Sequence, residues 1–308
     1  MTSRLPNPFD PALEDDDSTL GEDDPAEAMI GRTIAGRYQI TEILGRGGMG
    51  VVYGGTHLEL EREVAIKVVP GQYTRDSDVL KRFEREARTA SKIAHENVVT
   101  VYDYGRLESG EPYLVMERLT GRDLDVVLAA RRRIPPAEAL TIFEPLAAAL
   151  DAMHAQNVVH RDIKPSNVFF AADGTVKLVD FGLAVFRAPG AGDRLTRTGS
   201  VVGTAEYMAP EAARGALVDA RGDVYSLATL AYEVLTGSLP FVGQPVQVLI
   251  DKVSHRAPSV SSVSDLKFAE AIERVFDRAL DRRPEARHAS AGELVRALRE
   301  AIEASPAA

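Results

Sequence analysis

Hydrophobic and polar residues change rhythm along this 308-residue chain, and the changes mark its parts. From about Gly36 the rhythm is that of strands. Arg37-Tyr38-Gln39-Ile40 alternates, and Glu42-Ile43-Leu44 follows. After a glycine-rich interval come Val51-Val52-Tyr53 and the strand Glu63-Val64-Ala65-Ile66-Lys67-Val68-Val69. Val98 to Tyr104 and Tyr113 to Met116 read as two more strands. Between them, Asp78 to Ile93 is charged, with Leu80, Phe83, Ala87 and Ala90 near helical spacing. This part predicts a small sheet with one helix. After Gly121 the pattern turns helical. Ile142, Leu146, Ala149, Leu150 and Met153 share one face, and Pro145 should either kink that helix or mark its true start. Val224, Leu227, Ala231 and Val234 mark another helix, stopped by Gly237 with Pro240 beyond. Leu266 to Leu280 and Ala291 to Ala301 predict two more. No internal repeat stands out.

Composition narrows the class. An apolar fraction of 45% with 27% charged residues suits a soluble globular protein, long enough for two lobes and a cleft. With no cysteine there is neither a disulfide nor a thiolate metal site, which fits a reducing compartment. The start, MTSRLPNPFD, has no signal-peptide core. The most apolar helical stretch, Ala139 to Ala155, is broken by Glu144, Pro145 and Asp151 and predicts burial rather than a membrane span. These points predict a cytoplasmic protein with no membrane segment in this chain. Of the net charge of −10, nine acids against Arg4 stand before Ile30. The acidic balance therefore belongs to a tail, expected to be solvated and disordered over residues 1–35. Residues 303–308 are expected to fray. Arg131-Arg132-Arg133 reads as solvated surface. No basic stripe interleaves with aromatics, which argues against a nucleic-acid partner.

Five short motifs carry candidate chemistry. Gly45-Arg46-Gly47-Gly48-Met49-Gly50 lets backbone N–H groups approach phosphate oxygens. A dinucleotide site would need the last glycine to open a helix. Strand-like residues follow instead, so the loop reads as a hairpin lid. Val64-Ala65-Ile66-Lys67 puts a lysine inside an apolar strand, where it needs an anion. Phosphates would supply one. Glu86 on the following helix is the first candidate to hold the lysine, with Glu84 as fallback. His160-Arg161-Asp162, Lys164 and Asn167 group a carboxylate, an amine and an amide within eight positions. The carboxylate can orient a hydroxyl, the amide can hold a metal ion, and the amine can steady charge on a moving phosphate. Asp180-Phe181-Gly182 ends a strand from Val176 to Val179. Ala209-Pro210-Glu211 closes the long polar segment that follows.

With these motifs in this order, the chain resembles the eukaryotic-like serine/threonine protein kinases of bacteria from about Gly36 to Ile302. The resemblance implies an α+β, bilobal fold: a small antiparallel β-sheet lobe with one helix, residues 36–119, and a larger, mainly helical lobe, residues 120–302. It implies ATP with Mg²⁺ (or Mn²⁺) and protein substrates that offer Ser or Thr. By that likeness Lys67 touches the α- and β-phosphates and pairs with Glu86. Asp162 is the catalytic base, Lys164 reaches the γ-phosphate, and Asn167 and Asp180 hold the metal. Leu44, Val52, Ala65 and Phe169 line the adenine slot under the lid of Gly45, Gly47, Gly48 and Gly50. Met116 stands as gatekeeper, with Glu117 and Leu119 offering backbone to adenine. Asp223 braces the catalytic loop and Glu211 pairs with Arg287. Arg161 is expected to gather a phosphorylated loop residue, with Thr196, Thr198 and Ser200 as acceptors. Lys164 and Gly203-Thr204 suggest Ser/Thr rather than Tyr acceptors. Pairing of small lobes into a homodimer is a habit of the family rather than something these residues spell out.

Two departures from the pattern are Ala228, where a glycine is usual, and Phe169, bulky for the floor of the adenine slot. Neither removes a catalytic group. A scaffold without chemistry would be expected to lack one of Lys67, Asp162, Asn167 or Asp180, and all four are present. A small-molecule phosphotransferase fits less well with the long Asp180 to Glu211 segment.

Overall fold

The computed structural model describes residues 24–47, 50–71, 77–180, 205–264 and 268–305. Six strands form one antiparallel sheet in the order β1-β2-β3-β4-β6-β5. They are β1 (Thr33–Ile34), β2 (Tyr38–Gly47), β3 (Gly50–His57), β4 (Arg62–Val68), β5 (Val101–Arg106) and β6 (Pro112–Glu117). Helix α1 (Ser77–Ala90) leaves this sheet after β4. Strand β5 starts three residues later than the pattern predicts, because Val98 instead bridges to Leu178 of the other lobe.

Burial explains why β4 reads as an unbroken apolar run rather than an alternation. Val64 and Ile66 pack outward with Tyr38, Ile40, Tyr53, Tyr113 and Val115. Ala65 faces inward with Leu114 and Met116, toward the main core. Both faces are covered, so both sets are apolar. Part of the outer cover comes from the supposed tail. Asp24 Oδ1 accepts from Ala26 N at 2.9 Å just ahead of a 3₁₀ turn at Glu27–Met29, Ala26 and Ile34 are buried in the outer cluster, and β1 pairs with β2. The fold therefore begins before Gly36. The outer face of the sheet offers apolar surface that a solvated tail would leave wet.

The second lobe carries a three-stranded sheet, β7 (Gly121–Asp123), β8 (Val168–Ala171) and β9 (Val176–Leu178), and eight α-helices among the described residues. These are α2 (Leu124–Arg131), α3 (Pro136–Ala155), α4 (Pro210–Ala213), α5 (Ala220–Thr236), α6 (Pro245–Ser254), α7 (Val260–Val263), α8 (Glu270–Ala279) and α9 (Ala291–Glu303). Helix α5 is buried on nearly every side, from Gly222 to Thr236, and forms the lobe's axis. Its N-cap is Asp219, accepting from Arg221 N, and its C-cap is Gly237 at φ 74°. Helix α3 runs through Pro145 and begins at Pro136, nine residues before the proline that could have marked its start. An interior proline costs roughly 3 kcal/mol. Burial of Ile142, Phe143, Leu146, Leu150 and Met153 along the same helix offsets it. The predicted helix from Leu266 begins instead at Glu270. Among the described residues no helix is long and apolar enough to cross a membrane.

Candidate active site

The loop after α3 carries His160 to Asn167, and one buried carboxylate shapes its start. Asp223, fully buried on α5, accepts from His160 N at 2.7 Å, from Arg161 N at 2.8 Å and from His154 Nε2 at 2.8 Å. Arg161 sits at φ 65°, a strained backbone for a non-glycine residue that these two amide bonds help hold. His160 is fully buried. Its Nδ1 accepts from Asp162 N at 3.2 Å, so its Nε2–H donates to Val179 O at 3.1 Å. Burial pushes the imidazole down from its ordinary range, consistent with the neutral tautomer that these bonds require.

Asp162 is buried and meets both partners that the motif suggested. Lys164 Nζ donates to Asp162 Oδ2 at 2.9 Å, and Asn167 Nδ2 donates to the same oxygen at 3.1 Å and to Asp162 O at 2.6 Å. Since the Asn167 amide nitrogen is committed to Asp162, its amide oxygen is the group left to face a cation. Asn167 O also accepts from Val179 N at 2.9 Å, which sets Asn167 beside the chain that leads into Asp180.

Lys67 is 6% exposed and donates to Asp180 Oδ2 at 2.7 Å, across 113 positions of sequence. The expected Lys67–Glu86 pair is not what forms. Glu86 meets Arg161 instead, with Arg161 Nη1 donating to Glu86 Oε1 at 3.3 Å, and the fallback Glu84 pairs with Arg106 at 2.7 Å. Lys67 is buried and needs a carboxylate at hydrogen-bond distance, and Asp180 supplies it at 2.7 Å while Glu86 is bonded to Arg161. Lys67 thus holds Asp180, the acid expected to face the metal, and Glu86, the acid expected for Lys67, is taken by Arg161.

The glycine loop gives a test for phosphate. Gly50 is required by the protein itself, since at φ 132° its added Cβ would stand 2.0 Å from Val68 O. Gly45 and Gly47 lie on β2, and an added Cβ at either would meet nothing within 4 Å. The fold makes no demand for glycine there, and the space suits closely approaching phosphate oxygens. For the metal, an amide oxygen at Asn167 and a carboxylate at Asp180 form a hard oxygen set, the type that Mg²⁺ or Mn²⁺ prefers.

Of the residues expected to line an adenine slot, Ala65 and Met116 are adjacent across β4 and β6 and buried. Val52 and Leu119 are half-buried against the same core, and Leu44 is exposed. Phe169 turns opposite to Phe170, which packs into the core, and its ring edge lies over Gly121. Glu117 uses its amide on Thr100 O at 2.9 Å. Its side chain accepts from Thr100 N at 2.7 Å and from Lys177 Nζ at 2.9 Å. Lys177 was missed by the sequence reading, although Val176-Lys177-Leu178 carries the same signal as Lys67: a lysine within an apolar strand. Glu211 and Arg287 meet in a buried two-point pair at 2.8 and 2.7 Å, with the guanidinium 4.8 Å from the Tyr225 ring centre. Gly48, Phe181, Gly182, Thr196, Thr198, Ser200 and Thr204 lie outside the described residues.

Known proteins resemble this chain in sequence and fold. The family model described as protein kinase domain matches residues 38–297. The serine/threonine-protein kinase PrkC of Bacillus subtilis (strain 168) is 35% identical over 90% of this chain and 42% of its own length. PknB of Mycobacterium leprae (strain TN) is 38% identical over 85% of this chain and 42% of its own length. The chain thus spans about two fifths of these curated relatives. A crystal structure of the Mycobacterium tuberculosis PknI kinase domain superposes with a TM-score of 0.70 at 30% identity, covering 88% of this chain and 97% of that one. With the fold, the loop around Asp162 and the matched span in agreement, the chain belongs to the protein kinase domain family.

Proposed function

We propose that this chain is an ATP-dependent serine/threonine protein kinase of bacterial signalling. The observation that carries the reading is the convergence on Asp162. Lys164 and Asn167 both donate to its Oδ2, while Lys67 and Asp180 meet at 2.7 Å from opposite lobes. In this reading an acceptor Ser or Thr hydroxyl is oriented by Asp162. Its oxygen bonds to the γ-phosphorus as the bond from that phosphorus to the β–γ bridging oxygen breaks. The hydroxyl proton passes to Asp162 and ADP leaves. Lys164 offsets charge on the transferring group, and Lys67 holds the α- and β-phosphates once it exchanges Asp180 for them. Asn167 and Asp180 would hold a divalent ion, Mg²⁺ or Mn²⁺, which would offset phosphate charge. Catalysis is then mostly positioning and electrostatics. Such a domain works where ATP is, in the cytoplasm, and its partners are proteins that offer Ser or Thr.

The Arg161–Glu86 pair supports a phosphorylation switch. Arg161 is held by Glu86 at 3.3 Å, and a phosphate on Thr196, Thr198 or Ser200 is a stronger partner for a guanidinium than a carboxylate. Drawing Arg161 away would leave Glu86 for Lys67 and Asp180 for the metal.

Labelled ATP with a protein acceptor tests the reading. Asp162→Asn should lower kcat by about 100- to 10,000-fold with KM for ATP nearly unchanged. Lys67→Met should also lose transfer. Equal label transfer by wild type and both variants would overturn it.

A further inference from the structure

Lys252 is fully buried on α6 and takes no part in the chemistry above. Its ammonium donates to Glu206 O and, at 2.9 Å, to Met208 O, and it lies 5.1 Å from the centre of the Tyr225 ring. Between those two carbonyls, Tyr207 O accepts from Ser226 Oγ at 2.8 Å. Three successive carbonyls of a segment with no helix or strand are therefore held from behind by side chains. Loop carbonyls ordinarily turn to water. Here they are fixed to two helices, and the Tyr207 hydroxyl adds a fourth tie, to Glu233 at 2.5 Å.

The same turn of α5 also carries the catalytic loop. Ser226 bonds Tyr207 O and Gly222 O, while Asp223 holds the amides of His160 and Arg161. Asp223 and Ser226 are three residues apart on one face of α5, so the loop bearing Asp162 and the Glu206–Met208 backbone hang from neighbouring positions of one helical turn, and Lys252 on α6 supplies a second point that fixes the backbone. Packing alone does not call for a lysine there. An apolar side chain of the same length would fill the space and leave two carbonyls without a donor.

We propose that Lys252 is a positioning residue for the protein acceptor. It holds the Glu206–Met208 backbone at a fixed place relative to Asp162, so that the acceptor hydroxyl arrives within reach of that carboxylate. The inference rests on the kinase reading, and Lys252 touches no reacting atom.

The test compares wild type, Lys252→Met and Lys252→Arg with dephosphorylated casein as acceptor. ATP turnover without acceptor supplies the KM for ATP. Lys252→Met should raise KM for casein about tenfold while KM for ATP stays within about twofold. Lys252→Arg, which keeps the charge and donors, should recover most of the loss. Amide hydrogen exchange at Glu206–Met208 should quicken in Lys252→Met, with α5 unchanged. If wild type phosphorylates casein and Lys252→Met does so with the same KM, the inference is overturned and the kinase reading stands. Parallel changes in both KM values, or unaltered exchange at Glu206–Met208, overturn it as well. If wild type transfers phosphate to no protein, the kinase reading falls and the acceptor role with it. Should Lys252→Met fail to fold, Lys252→Gln carries the same readouts.

Discussion

Arg287 and Lys252 stack near the same ring, Tyr225, at 4.8 and 5.1 Å, yet they pose different electrostatic problems. Arg287 has a carboxylate on two points, and its side chain is fully buried against Glu211. Arg287→Met leaves Glu211 charged and without that partner, so it should destabilise the protein by about 3–5 kcal/mol in urea unfolding. The double change Arg287→Met with Glu211→Gln should recover a large part of that loss, because no lone charge remains. Lys252 has carbonyls, a ring face and the more distant Glu206 carboxylate, and burial pushes its amine down to about 7. The unfolded chain binds this proton up to its ordinary pKa near 10.5, whereas the folded chain releases it near 7. The unfolded state therefore holds more protons in that window, and stability rises with pH across it. The unfolding free energy of wild type relative to Lys252→Met should increase between about pH 7 and 10, measured in urea titrations at three pH values.

Elements differ in how much of them the chain announces. Strands β2, β3, β4 and β6 show themselves because each buries a regular set of side chains. Helix α5 shows itself because glycine at φ 74° stops it. The three strands β7, β8 and β9 have only three or four residues each, too few for a period, and β7 contains no apolar residue. Helix α6 opens on Pro245 and leaves Val246 and Ile250 exposed, which blurs its apolar face. The start of the fold was hidden by charge. The acids around Asp24 outweigh Ala26 and Ile34 in composition, although those two reach the outer face of the sheet. Ile34→Ala should therefore cost about 2–4 kcal/mol, despite lying in a stretch that reads as tail. Chemical denaturation monitored by tyrosine fluorescence measures this. No loss would mean that β1 contributes nothing to the small lobe.

At the scale of the molecule, the site was legible as an inventory and only partly as a wiring diagram. The order of motifs brings Asp162, Lys164, Asn167, Asp180 and Lys67 into one place, and Asp223 under them. It does not decide which acid holds which cation, because that depends on distances between lobes rather than on residue type. Lys67 with Asp180 and Arg161 with Glu86 differs from the Lys67–Glu86 pair that the motifs imply. A consequence can be measured on the whole enzyme. Phosphatase treatment should lower kcat by at least about tenfold in wild type if loop phosphate competes for Arg161. Arg161→Met should be slow and indifferent to the same treatment. Equal sensitivity of the two proteins would rule out Arg161 as the receiver.

Strand β9 has a further consequence through its contacts with the small lobe. Val99 N donates to Leu178 O at 3.0 Å, Leu178 N donates to Asn97 O at 2.8 Å, and Asn97 Nδ2 reaches Val176 O at 2.8 Å. A short way along the chain from Glu117, Ala172 N donates to Thr120 O at 2.7 Å, and Lys177 ties Glu117. All three residues of β9 are thus tied to the small lobe: Val176 and Leu178 to Asn97 and Val99, and Lys177 to Glu117. Because β9 leads directly into Asp180, a displacement of the small lobe at these residues pulls on the strand that presents that carboxylate.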